Sequence, residues 1–161
     1  MKKLKVYLET SLIRHLYQFD APEKMEETNA LWEILKLGKS ELYISSVVLG
    51  ELQDCPSEIR IQIEERLKEI EFAILEDSSE VTDLASLYIE HGVLPPKSVA
   101  DSLHIAHAVV ADCHIITSWN FKHIVNRRTK NGVRVVNSVN NYREISILTA
   151  SEMLVEEVFD E

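Results

Sequence analysis

Four oxygen-bearing residues interrupt apolar runs at four separate places in the chain. Glu9 follows Val6, Tyr7 and Leu8, and Glu51 lies in the apolar stretch Val47–Leu52. Asp101 opens the alanine-rich stretch Ala100–Ala108, and Asn120 follows Ile115–Trp119. Each has an ordinary reading. Glu9 and Asp101 suit a helix N-terminus, where the dipole favours a carboxylate, or in the case of Glu9 a solvated loop. Glu51 suits an outward helix position, and Asn120 suits an N-cap. A carboxylate beside a helix as apolar as the one after Asp101 is costly unless it is paired or metal-bound. Taken jointly, the four offer carboxylate and amide oxygens, a donor set for Mg²⁺ or Mn²⁺ and not for zinc or copper. Such an ion can hold a water and a phosphate oxygen together, which is the requirement for phosphodiester hydrolysis. His104 and His107 are three residues apart on the same segment. They could ligate a metal, or simply pack and hydrogen-bond.

These residues must be positioned by the elements around them. Short β-branched or aromatic runs predict strands at Leu4–Leu8, Leu42–Ser45, Phe72–Leu75, His114–Thr117 and Val133–Val136. Helical spacing predicts helices at Lys24–Leu37, Val47–Gln53, Ser57–Ile70 (Ser57 as N-cap), Glu80–His91, Ser98–Asp112 and Ser151–Val158. Such alternation implies an α/β fold, a mostly parallel sheet covered on both faces. In open sheets of that kind, sites form beyond the carboxyl ends of strands, where the connections reverse direction. Glu9 and Asn120 each follow a predicted strand end, on the first and fourth strands. Those two strands are expected to be adjacent at the centre of the sheet.

Composition narrows the function further. The 161 residues suit one domain, 1–161. A formal net charge of −10 argues against coating nucleic acid by bulk charge and leaves room for a local basic patch. The two cysteines, Cys55 and Cys113, have no zinc-ligand spacing and fit a reducing compartment. No segment has the length of a membrane span, and Glu9 cuts the apolar stretch after Lys2, Lys3 and Lys5, so no secretory signal is expected. The cytoplasm, and no membrane partner, is the default expectation.

The stretches Val99–Ala108 and Ile116–Ile124, with Val6–Ser11 and Ser45–Leu52 at fitting distances before them, resemble the PilT N-terminal (PIN) domain family, and within it the VapC-like branch. The resemblance spans nearly the whole chain. It implies a three-layer α/β/α fold with a central parallel sheet of about five strands. It also implies an endoribonuclease that uses Mg²⁺ or Mn²⁺ held by acidic residues. Matched position by position, the catalytic set is Glu9, Glu51, Asp101 and Asn120, with Glu9, Asp101 and Glu51 as metal ligands. Thr10, Ser11, Thr117 and Ser118 are supporting hydroxyls. Two positions depart from the family pattern: Glu9 stands where Asp is usual, and Asn120 where Asp is frequent. The longer Glu9 arm predicts that Glu9→Asp improves metal binding. The resemblance further implies a cognate antitoxin partner, the toxin role in a toxin–antitoxin pair, and pairing into a homodimer.

Between Asn120 and Arg134 the charged residues are all basic: Lys122, Arg127, Arg128, Lys130 and Arg134. This run is either a solvated loop or a grip on an RNA backbone, with Lys122, Arg127 and Arg128 nearest the site. The C-terminal residues Glu152, Glu156, Glu157, Asp160 and Glu161 are acidic and unsuited to RNA. A rival reading is a catalytically weakened PIN domain that acts as an RNA- or protein-binding module. A response-regulator-like domain would need paired acids after the first strand, where only Glu9 stands.

Overall fold

The computed structural model describes residues 3–160, with side chains through Glu156; the side chains of Glu157 and Asp160, and Glu161 altogether, lie outside the described residues. Five parallel strands form one sheet: β1 (Lys5–Leu8), β2 (Glu41–Ser45), β3 (Phe72–Leu75), β4 (Ile115–Thr117) and β5 (Ser146–Leu148), in the order β3-β2-β1-β4-β5. β1 pairs with β4 in the register Val6–Ile115, Tyr7–Ile116 and Leu8–Thr117. Apart from the half-buried Lys5 that opens β1, both strands are buried on both faces and mostly apolar, as parallel sheets require when helices cover them.

Among the described residues, eight α-helices connect and flank the strands: α1 (Thr10–Arg14), α2 (Pro22–Leu35), α3 (Ser46–Leu52), α4 (Ser57–Leu67), α5 (Ser79–Glu90), α6 (Val99–Val110), α7 (Arg127–Val139) and α8 (Ala150–Asp160). The chain steps outward from β1 to β2 and β3, then jumps back to β4 and on to β5. Right-handed crossovers therefore put α1–α4 on one face and α5–α7 on the other. The packing agrees: α5 lies against α6 and α7, and α8 returns to pack on α2. The reversal falls between β1 and β4, which places the switch point of the sheet beside Glu9 and Asn120. No described helix is long and apolar enough to cross a membrane.

One predicted strand is wrong. Val133–Val136 lies inside α7, not in the sheet, and β5 is Ser146–Leu148. The valines read as β-branched strand formers, but their burial follows a helical period. Thr129, Val133, Val136 and Asn137 face inward while Arg134 and Val135 face out. Asn126 starts the helix by accepting from the Thr129 amide at 2.8 Å. β5 is three residues long in a polar setting and carries no strand pattern of its own. Ser57 is the first residue of α4 and Pro56 its cap, so the predicted Ser57 N-cap is one residue late. Cys55 and Cys113 are buried core thiols, and burial pushes Cys113 up to about 12.

Candidate active site

Glu9 leaves the carboxyl end of β1 and stands at the N-cap of α1 with extended backbone, but its side chain accepts no backbone N–H of the helix. It is 4% exposed. Its Oε1 accepts from Ser11 Oγ and from Ser118 Oγ, each at 2.5 Å. Those hydroxyls are themselves held: Ser11 Oγ accepts from the Trp119 amide at 2.8 Å and Ser118 Oγ from the Asn120 amide at 2.9 Å. The backbone is pinned as well, since the Glu9 amide donates to Thr117 O at 3.1 Å. Two strands and two serines thus aim one carboxylate, whose Oε2 lies 3.9 Å from His104 Nε2.

Glu51 comes from α3, which starts at the end of β2 with Ser45 as its cap. Its Oε1 takes two hydrogen bonds, from Thr10 Oγ1 at 2.7 Å and from His104 Nε2 at 2.5 Å. Behind the imidazole, His104 Nδ1 meets Tyr7 Oη at 2.7 Å, and Tyr7 Oη meets Ser45 Oγ at 2.7 Å. Burial raises the Tyr7 phenol well above its ordinary value, so it keeps its proton. The protonation pattern that satisfies every group has Ser45 donating to Tyr7, Tyr7 to Nδ1, and Nε2–H to Glu51. Burial alone raises Glu51, but the bonds from His104 and Thr10 overcome it and hold the carboxyl below its usual value.

Asp101 occupies the first turn of α6, one helical turn before His104. Burial first, and the charge of Glu9 second, raise its carboxyl above the usual range. Its Oδ1 accepts from Asn120 Nδ2 at 3.1 Å, while Asn120 Oδ1 accepts from the His123 amide at 3.0 Å. The capping and site readings of Asn120 therefore hold together: one end of the amide shapes the loop after β4, the other holds Asp101.

The structure brings one ligand atom each from Glu9, Glu51 and His104 within 4.8 Å of one another. Two carboxylates converging there, with Asp101 beside them raised by burial and then by the charge of Glu9, fit a divalent cation bound through oxygen. Among the hydroxyls, Ser11 and Ser118 serve Glu9, and Thr10 serves Glu51. Thr117 Oγ1 is buried without a hydrogen-bond partner and touches none of the carboxylates by hydrogen bond. His104 and His107 share no ligand: His107 Nε2 bonds Asp77 Oδ1 at 3.0 Å. A groove of about 500 Å³ next to Asn120 is lined by Phe121, Lys122, His123, Arg127 and Arg128 among others, with no acidic residue. A roomier cavity of about 840 Å³ opens among mixed charges at the amino end of β2 and β3 and touches none of the site residues.

The PIN domain family model matches residues 6–120. The chain belongs to the PIN domain family. No curated protein matches it. Among solved structures, the PIN chain is similar to VapBC2 from Rickettsia felis bound to a DNA fragment from their promoter. The match has a TM-score of 0.59 at 15% identity and covers 91% of this chain and 98% of that one. At that identity the likeness is one of fold.

Sequence reasoning gave His104 no settled place, and Tyr7 and Ser45 none at all. A signal for His104 was present: it stands three residues after Asp101, on the same helix face. Nothing local marks Tyr7, because its hydroxyl finds its partners across the sheet.

Proposed function

We propose that this PIN domain, one unit spanning 1–161, is a metal-dependent endoribonuclease that hydrolyses RNA phosphodiester bonds in the cytoplasm as the toxin of a toxin–antitoxin pair. The observation that carries the reading is the convergence of Glu9, Glu51 and His104, with Asp101 and Asn120 alongside, at the switch point of the sheet. Bound Mg²⁺ or Mn²⁺ would supply Lewis acidity and a water of lowered pKa. Glu9 and Asp101 would hold the ion; Glu51 would hold it through water or position the nucleophilic water, and Asn120 would complete the outer shell. Ser11 and Ser118 fix the Glu9 carboxylate in place. The Ser45–Tyr7–His104 chain keeps a proton on the imidazole edge facing Glu51 Oε1 and so directs the other carboxylate oxygen toward the site. Lys122, Arg127 and Arg128 hold the RNA backbone by charge. A cognate antitoxin and a second copy of the chain are the proposed protein partners.

The test is incubation with a mixed RNA pool and Mn²⁺, wild type against Asp101→Asn. Cleavage should fall at least about 100-fold in the variant, since loss of even an indirect metal partner costs 10–100-fold. Cleavage unchanged by the substitution would overturn the reading. The neutral Asn120 and the lengthened Glu9 favour one alternative, a weakened PIN domain that acts by binding. Metal-induced stabilisation with no cleavage of any RNA would select it.

A further inference from the structure

Phe121 follows Asn120 directly, yet its side chain is 47% exposed, unlike its neighbour Trp119, which is buried and bonded to Thr28 through its indole N–H at 2.8 Å. Large aromatic side chains are normally buried, and this one is held in place at the surface. Its ring packs at a 58° tilt against Trp119, with centroids 6.1 Å apart, and Lys24 Nζ stands 5.0 Å from its centroid. Its backbone is fixed too: the amide donates to Trp119 O at 3.0 Å and the carbonyl accepts from Asn126 Nδ2 at 3.0 Å. The same Asn126 caps α7, so the loop carrying Phe121 is tied to the helix that carries Arg127 and Arg128.

The ring has two neighbours that matter. Consecutive Cα atoms are about 3.8 Å apart, so Phe121 stands one residue from the amide that bonds Asp101. It also lines the acid-free groove with Lys122, Arg127 and Arg128. Cations that track a backbone, combined with an aromatic face for bases, are the two parts of a single-strand site. Bases stacked inside a duplex cannot reach such a ring, whereas splayed bases can.

We propose that Phe121 is the platform on which one unpaired base of the RNA strand stacks beside the scissile phosphate. This deepens the ribonuclease reading and rests on it for the identity of the ligand. The ring positions the strand while the cations hold its phosphates.

The experiment measures binding of a fluorescein-labelled, unstructured 12-nucleotide RNA in EDTA, where cleavage is blocked, by anisotropy. A second series of RNAs carries one abasic site, walked along the strand. Phe121→Ala should weaken binding about 10-fold, a loss of about 1.4 kcal/mol, within the range of one base stacked on an aromatic ring. Phe121→Trp should bind like wild type, and Phe121→Leu, which keeps apolar bulk, should fall with alanine. One abasic position should weaken wild type by the same factor and leave Phe121→Ala unaffected. Phe121→Leu binding like wild type would overturn the stacking role, and so would an abasic scan with no position coupled to Phe121. The second result is the one expected if the ring instead meets a protein. Wild type that cleaves RNA while Phe121→Ala binds normally refutes stacking alone. Wild type that binds with the predicted coupling but never cleaves refutes the nuclease and keeps the platform. Wild type that neither binds nor cleaves refutes both.

Discussion

Glu9→Asp is the sharpest test of how the site is built. From sequence, restoring the shorter residue should relieve a strained ligand. The structure argues the reverse. Removing one methylene withdraws the carboxylate by about 1.5 Å, the length of a carbon–carbon bond. The Ser11 and Ser118 bonds at 2.5 Å would then stretch beyond about 3.5 Å, outside hydrogen-bond range. The main chain is poorly placed to follow, because the Glu9 amide is bonded to Thr117 O, its carbonyl accepts from Leu12 N, and Leu8 and Thr10 are both buried. Two hydrogen bonds to a charged group are at stake, each worth about 1.5–3 kcal/mol, and partial relaxation should leave a loss of about 2–4 kcal/mol without metal. Carboxylate misplacement should also weaken Mn²⁺ binding by about tenfold, which is 1.4 kcal/mol. At saturating metal that removes as much again of the ligand-induced stabilisation. For a domain of this size each kcal/mol moves Tm by about 2–4 °C. The assay is thermal unfolding of wild type, Glu9→Asp and Glu9→Gln across a Mn²⁺ titration, with RNA cleavage measured in parallel. A larger Mn²⁺-induced Tm rise in Glu9→Asp than in wild type, or faster cleavage, would refute the reasoning.

Three further outcomes are expected. Tyr7→Phe removes the donor to His104 Nδ1 and leaves that nitrogen and Ser45 Oγ short of a partner; it should cost about 1–3 kcal/mol in urea unfolding and slow cleavage, and full retention of both would show that the proton chain does not support Glu51. Burial holds His107 below the ordinary imidazole range despite its bond to Asp77. The unfolded chain therefore binds the extra proton first, and stability is present above about pH 6.5 and lost as pH falls through that value toward the lowered one. His107→Gln should flatten the decline in Tm between about pH 7 and pH 5, and an unchanged slope would assign the decline elsewhere. A Cβ at Gly132 would lie 2.7 Å from Val93 Cγ2 and 3.1 Å from its Cβ, so Gly132→Ala should destabilise by about 1–3 kcal/mol. Val93→Ala in the same chain should recover part of that loss, and additive losses would show that the two do not touch.

Some of this protein was legible residue by residue. The apolar runs of β1 to β4 and the punctuation around them announced an alternating α/β chain. That pattern alone pointed to the carboxyl ends of the first and fourth strands, where Glu9 and Asn120 stand. Periodicity failed where local preference and burial disagreed. Val133–Val136 is β-branched, yet a helix buries two of its valines at helical spacing and exposes a third. The site shows the same division more strongly. Residue type is enough to nominate a carboxylate. It cannot say that Ser118, more than a hundred residues away in the chain, fixes Glu9, or that Tyr7 on the central strand orders the proton on His104. Hydrogen bonds and desolvation act over a few ångströms, so which atoms share them depends on strand order and register. Only the folded sheet, with β1 laid between β2 and β4, brings Ser45, Tyr7, His104 and Glu51 into one chain.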